Sequence, residues 1–89
     1  MLIERITINN KLGLHARAAA KLVSCASMFS SQVRIGRDDN MVDAKSIMSV
    51  MMLAAGRGTE LDLEIDGPDE KDTLAAITTL IDNRFDEDE

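Results

Sequence analysis

The sequence has no tryptophan and no tyrosine, and its only aromatic residues are Phe29 and Phe85, 2% of 89 residues. A core must therefore be built from Ile, Leu, Val, Met and Ala. Hydrophobic residues make up 45%, which is enough for such a core and excludes wholesale disorder. There is one cysteine, Cys25, so no internal disulfide can form, as suits a reducing compartment. Cys25 falls among small residues of a predicted helix and reads as a buried, inert thiol. There is one histidine, His15, and no second His or Cys cluster, so neither a metal site nor a cofactor is expected. Basic residues are few: 10 Lys and Arg stand against 16 Asp and Glu, a formal net charge of -6. An acidic chain without a basic stripe repels nucleic-acid phosphates, which excludes that class of partner. No apolar stretch is long enough to span a bilayer. The start, Met1-Leu2-Ile3-Glu4-Arg5, has no basic region followed by an apolar run, so a soluble, cytoplasmic protein without membrane insertion is expected.

What is present fits one domain over residues 1–89, with no repeat and no linker. Ile6-Thr7-Ile8-Asn9 alternates and reads as a strand extending back through Leu2, and Asn10 to His15 forms a loop. From Ala16 to about Ser27 the period is helical, with Ala19, Leu22, Val23, Ala26 and Phe29 on one face and Arg17, Lys21 and Ser24 on the other. Gln32-Val33-Arg34-Ile35 alternates, Gly36 to Asn40 supplies turn chemistry, and Met41-Val42-Asp43 can pair back. Ser46 is placed as the N-cap of a short apolar helix over 47–53 that ends near Gly56 and Gly58. Glu60 to Asp66 alternates most cleanly, with three apolar side chains facing one way and four carboxylates the other. After Gly67-Pro68-Asp69 a last helix runs from about Glu70 to Asn83, with a core stripe of Leu74, Ile77, Leu80 and Ile81. Its acids lie near the positive end and Arg84 near the negative one. Phe85-Asp86-Glu87-Asp88-Glu89 reads as a frayed, solubilising tail, about 86–89.

Strands with one solvated face need their helices on the other. The order strand-helix-strand-strand-helix-strand-helix therefore predicts an α+β open-faced β-sandwich: a four-stranded, mainly antiparallel sheet with three helices on one face.

His15 stands just before a predicted helix. A residue there leaves its side chain beside the unpaired N–H groups of the first turn, and these form an anion site with the positive end of the dipole. Arg17 can add a charge-assisted bond to a phosphate, and an imidazole is a competent nucleophile at neutral pH. Leu14-His15-Ala16-Arg17 thus holds a nucleophile, an anion cradle and a counter-charge within four residues. A lone histidine at a helix start is also commonly a capping or surface residue. No Ser-His-acid triad or carboxylate pair stands out, and a small open-faced domain has little depth for an enzyme pocket.

Asn10-Lys11-Leu12-Gly13-Leu14-His15-Ala16-Arg17 closely resembles the active loop of HPr, the histidine-containing phosphocarrier family of the bacterial phosphoenolpyruvate-dependent phosphotransferase system. Lys45-Ser46-Ile47-Met48-Ser49-Val50-Met51 resembles its second signature, the serine site at the short helix. The resemblance covers essentially the whole chain. It implies a stoichiometric carrier rather than an enzyme. Enzyme I, charged by phosphoenolpyruvate, phosphorylates His15 on Nδ1, and the group moves on to an enzyme IIA-type acceptor. Arg17, with the amides of Ala16, Arg17 and Ala18, holds the phosphoryl oxygens. Where the family typically has proline after the arginine this sequence has Ala18, which keeps an N–H that proline lacks. The helix start is then slightly less rigid and has one extra donor near the phosphate.

By the same resemblance Ser46 is a regulatory phosphorylation target of HPr kinase/phosphorylase in lineages that have it, with a transcriptional regulator as a further partner. A phosphate there sits favourably on a helix N-terminus and adds about two negative charges. Ala20, Lys21, Ser24, Ile47, Met48 and Met51 are the expected docking surface, since a helix this short cannot bury every side. The default oligomeric state is a monomer. Two alternatives stay open. One is the NPr paralogue of the nitrogen-related branch, favoured by the acidic ending and Asn10 to Gly13, whereas Lys45 to Met48 look more like a kinase-regulated HPr. The other is a domain of the same fold that only binds and regulates.

Overall fold

The computed structural model describes residues 1–88; Glu89, the end of the acidic run, lies outside the described residues. Chain order is β1 (Leu2–Thr7), α1 (Ala16–Ser27), β2 (Gln32–Arg37), β3 (Asn40–Asp43), α2 (Ile47–Met52), β4 (Glu60–Asp66) and α3 (Glu70–Asp82), closed by a 3-10 turn at Arg84–Asp86. The strands form one sheet in the order β1-β4-β2-β3, and every pair is antiparallel. The α+β open sheet with three helices is the architecture the alternation predicted.

The sheet sorts its residues by the two-residue period of the strand. Leu61, Leu63 and Ile65 of β4 and Val33 and Ile35 of β2 are buried under the helices. On the open face, β4 carries the carboxylates between two arginine-bearing strands. Arg5 Nε lies 2.6 Å from Asp62 Oδ1 and Arg34 Nη1 lies 3.5 Å from Glu64 Oε1, so opposite charges face each other across the ladder.

Helix α1 begins in a run of alanines, the best helix formers, and buries Ala18, Ala19, Leu22 and Ala26 at spacings of three and four. The predicted stripe is narrower at its C-terminal end. Val23 is only half-buried, and Phe29 lies beyond the helix and outside the core cluster. In α3, Ile77 and Ile81 are buried as expected, but Thr73 takes a core position while Leu74 and Leu80 lie on its margin. Thr73 is tolerated there because its hydroxyl donates to the Asp69 carbonyl at 2.7 Å. Ile8 and Asn9 fall past the end of β1, with the Ile8 amide donating to Thr59 O and its carbonyl accepting from Gly58.

Asp69 precedes α3 and ties its start to the approach to β2. Its carboxylate accepts from the amides of Ser30 and Ser31, each at 2.8 Å, and from the Ser31 hydroxyl. The Ser31 hydroxyl and the two amides hold this carboxyl down to about 2 from its ordinary 3.8.

The acidic run does not fray where it begins. Phe85 is fully buried among the core residues. Arg84, Phe85 and Asp86 all take left-handed backbone angles (φ 56, 55 and 62), which non-glycine residues adopt only when their surroundings enforce it. Here the Asp86 amide donates to Asn83 O and the Glu87 amide to Arg84 O, both at 3.0 Å, while Phe85 fills the interior. The turn carries Asp86 and Glu87 back toward the N-terminus of α1.

Candidate functional site

The loop from Asn10 to Leu14 delivers His15 to the start of α1. Gly13 has φ +69, and a Cβ there would meet the Ala55 carbonyl oxygen at 2.4 Å, so the position needs a glycine for both its backbone angle and this close approach. The Leu14 amide donates to that same Ala55 oxygen at 2.8 Å. Asn10, fully buried, donates through Nδ2 to Gly13 O at 2.8 Å. The residue before His15 is thus pinned to the segment between α2 and β4, and the loop is braced from within.

His15 is the N-cap residue of α1, with extended backbone angles and no side-chain cap bond. Its carbonyl accepts from Ala19 at 2.8 Å, and Ala16, Arg17 and Ala18 make up the first helical positions, whose N–H groups have no partner within a helix. The imidazole is 28% exposed. Beside it is a shallow open depression to which Lys11, Arg17, Asp86, Glu87 and Asp88 all contribute, so two cations and three carboxylates share its rim. Sequence reasoning placed His15 and Arg17 with the amides of Ala16, Arg17 and Ala18, and all four residues stand at the start of α1. Ala18 has its side chain fully buried in the core.

Glu87 is the residue that sequence reasoning missed. Its Oε2 lies 2.6 Å from His15 Nε2, and its Oε1 accepts from Asn10 Nδ2 at 2.9 Å. The Asn10 bond first, and then His15, hold its carboxyl below the usual range against the opposing effect of burial. Part of the expected solvated tail is therefore built into the site. The signal available was Phe85, one of two aromatics in the chain, which a frayed end would leave in water.

Ser46 caps α2 as expected: its oxygen accepts from the Ser49 amide at 3.5 Å, and its hydroxyl donates to Ser49 Oγ at 3.1 Å. Ile47, Met48 and Met51 are exposed, as are Met52 and Met28, which were not placed on the docking surface. Ala20, Lys21 and Ser24 line a groove with Arg17 and Met28, and helices α1 and α2 pack on each other. Cys25 is half-buried in that groove rather than fully enclosed, and burial pushes its thiol pKa up, away from the reactive thiolate. Among the described residues no group of His, Cys, Asp and Glu could hold a metal ion, and no helix is long and apolar enough to cross a membrane.

Residues 3–83 match the family model PTS-HPr, described as the PTS HPr component phosphorylation site. The chain is 58% identical over 89 residues to phosphocarrier protein HPr of Cupriavidus necator, with both chains covered completely. It is 60% identical over 85 residues to phosphocarrier protein HPr of Pseudomonas aeruginosa, covering 94% of each. The crystal structure of HPr-C-His from Thermoanaerobacter tengcongensis superposes with a TM-score of 0.95 at 43% identity, over the whole of both chains. This chain belongs to the HPr family of phosphotransferase-system phosphocarriers.

Proposed function

We propose that this protein is a cytoplasmic, monomeric phosphoryl carrier whose accepting group is His15. Enzyme I, charged by phosphoenolpyruvate, donates the group to Nδ1 of the ring, and an enzyme IIA-type acceptor takes it on. The observation that carries this reading is the partly exposed imidazole at the head of α1, next to first-turn amides with no helical partner and beside Arg17. An anionic phosphoryl group gains from those amides, from the helix dipole and from a guanidinium, while the open depression leaves it accessible to the next protein. The depression is too shallow to orient a second substrate alone, so the docked partner supplies the orientation. That makes the protein a stoichiometric relay component, not an enzyme.

The exposed Ile47, Met48 and Met51 on α2, with Ala20, Lys21 and Ser24 on α1, form the surface both partners use. Met side chains adapt to more than one partner. Ser46, at the N-terminus of α2, is the regulatory position. Phosphorylation by an HPr kinase/phosphorylase adds negative charge to this surface, weakens enzyme I docking and creates an epitope for a transcriptional regulator.

Phosphoryl transfer from labelled phosphoenolpyruvate tests the reading, with enzyme I and its nitrogen-branch counterpart as separate donors and an enzyme IIA chase. Acid-labile label should enter the protein and leave it on the chase, and the faster donor names the branch. A protein that takes up no label from either donor is only a binding and regulatory module.

A further inference from the structure

Glu87 lies 72 residues from His15 in sequence, yet both oxygens of its carboxylate are engaged at the site. Oε2 meets His15 Nε2 at 2.6 Å. Oε1 accepts from Asn10, a fully buried side chain that also holds Gly13 O within the loop leading to His15. Two residues before Glu87, the buried ring of Phe85 fixes the path of the chain. The Glu87 side chain is only 11% exposed. A carboxylate is therefore mounted on two buried anchors and aimed at one nitrogen of the ring.

An ionised carboxylate can only accept hydrogen bonds. The ring nitrogen facing it must carry the proton, and a neutral imidazole with Nε2–H keeps its lone pair on Nδ1. We propose that Glu87 is a positioning residue for phosphoryl transfer, holding His15 in the Nε2–H tautomer so that Nδ1 is the nucleophile. This rests on His15 being the accepting residue. The depressed carboxyl of Glu87 keeps the acceptor ionised through the neutral range. In the transfer step the Nδ1 lone pair forms the new N–P bond as the bond from phosphorus to the donor breaks, and the donor keeps that electron pair. The proton on Nε2 stays in its bond to Glu87, so no proton is gained or lost. Positive charge developing on the ring faces a carboxylate, as in other sites where a second group orients a histidine.

The test reads the tautomer and the rate separately. Nitrogen NMR of the unphosphorylated protein, above the pH at which the ring is protonated, should show the Nε2–H tautomer in the wild type. In Glu87→Gln the carbonyl oxygen continues to accept from Asn10, which turns an amide N–H toward the ring and favours the Nδ1–H form. That variant should accept phosphoryl groups from enzyme I about ten- to a hundredfold more slowly at saturation, with unchanged KM for enzyme I. Glu87→Ala should show a mixture of tautomers and an intermediate rate. A wild type resting in the Nδ1–H form overturns the proposal without any variant, and so does a Glu87→Gln protein that shifts tautomer but keeps its rate. A wild type that takes up no label overturns the carrier reading beneath it; a labelled wild type with an unaffected Glu87→Gln variant overturns this proposal alone.

Discussion

His15 and Arg17 are two residues apart, and the helix that begins between them fixes their relation. That is why the geometry of this part of the candidate site was legible in sequence: an N-cap position, its free amides and a nearby cation are all local consequences of where α1 starts. Glu87 was not legible, because its place depends on a turn of left-handed residues and on burial of Phe85, neither of which leaves a periodic pattern. A run of like charge ordinarily stays in water, and here one buried aromatic at its head overrides that tendency. Ala18 belongs to the same scale. Its N–H, near the proposed phosphate, is removed by Ala18→Pro, which also stiffens the first turn of α1. The substitution should shorten the half-life of the phosphohistidine, measured as loss of acid-labile label over time. An unchanged half-life would mean that the amide of Ala18 contributes nothing to holding the group.

At the scale of elements, the strand and helix periods were read with little error where burial alone sets them. The bounds of α1 and β4 match because one face of each is covered and the other is wet. The misreadings occur at ends. Phe29 follows the last turn of α1, and Thr73 holds a core position in α3 because Asp69 satisfies its hydroxyl. Asp69 makes a prediction of its own. Its carboxyl titrates at about 2 in the folded protein against an ordinary 3.8, so the charged form is favoured by folding. The resulting stability is fully present above 3.8 and is lost as pH falls through about 2. Asp69→Asn should therefore be less stable than wild type at neutral pH, by urea denaturation, and the gap should close across that acidic interval. A gap that stays constant with pH would show that the carboxylate's charge is not what links α3 to the approach to β2.

For the whole molecule, the sheet leaves the proposed functional residues on its helical side. Its open face is a ladder of paired charges, while the proposed carrier histidine, the Ser46 cap and the exposed Met48, Met51 and Met52 all belong to α1, α2 and the residues that cap their starts. The fold class followed from alternation because a sheet with one wet face can be covered by helices on only one side. The exposure of the proposed docking residues was legible only in part. The methionines could be named, but which of them face solvent depends on how α2 lies against α1 and β3. Met48, 68% exposed, should tolerate a charge without loss of fold. Met48→Asp is expected to leave the thermal midpoint within about 2–4 °C, since exposed substitutions usually change stability by less than about 0.5 kcal/mol. It should raise KM for enzyme I severalfold, by placing a desolvated charge in the interface. An unchanged KM would move the docking surface elsewhere.

All of these effects presuppose that one imidazole at the head of α1 carries the phosphoryl group. Intact-mass measurement after incubation with phosphoenolpyruvate and enzyme I addresses that directly. The wild-type protein should gain a single phosphoryl group that acid removes, and His15→Ala, folded to the same thermal midpoint, should gain none. An equal gain in His15→Ala would place the accepting atom on another residue and contradict the account.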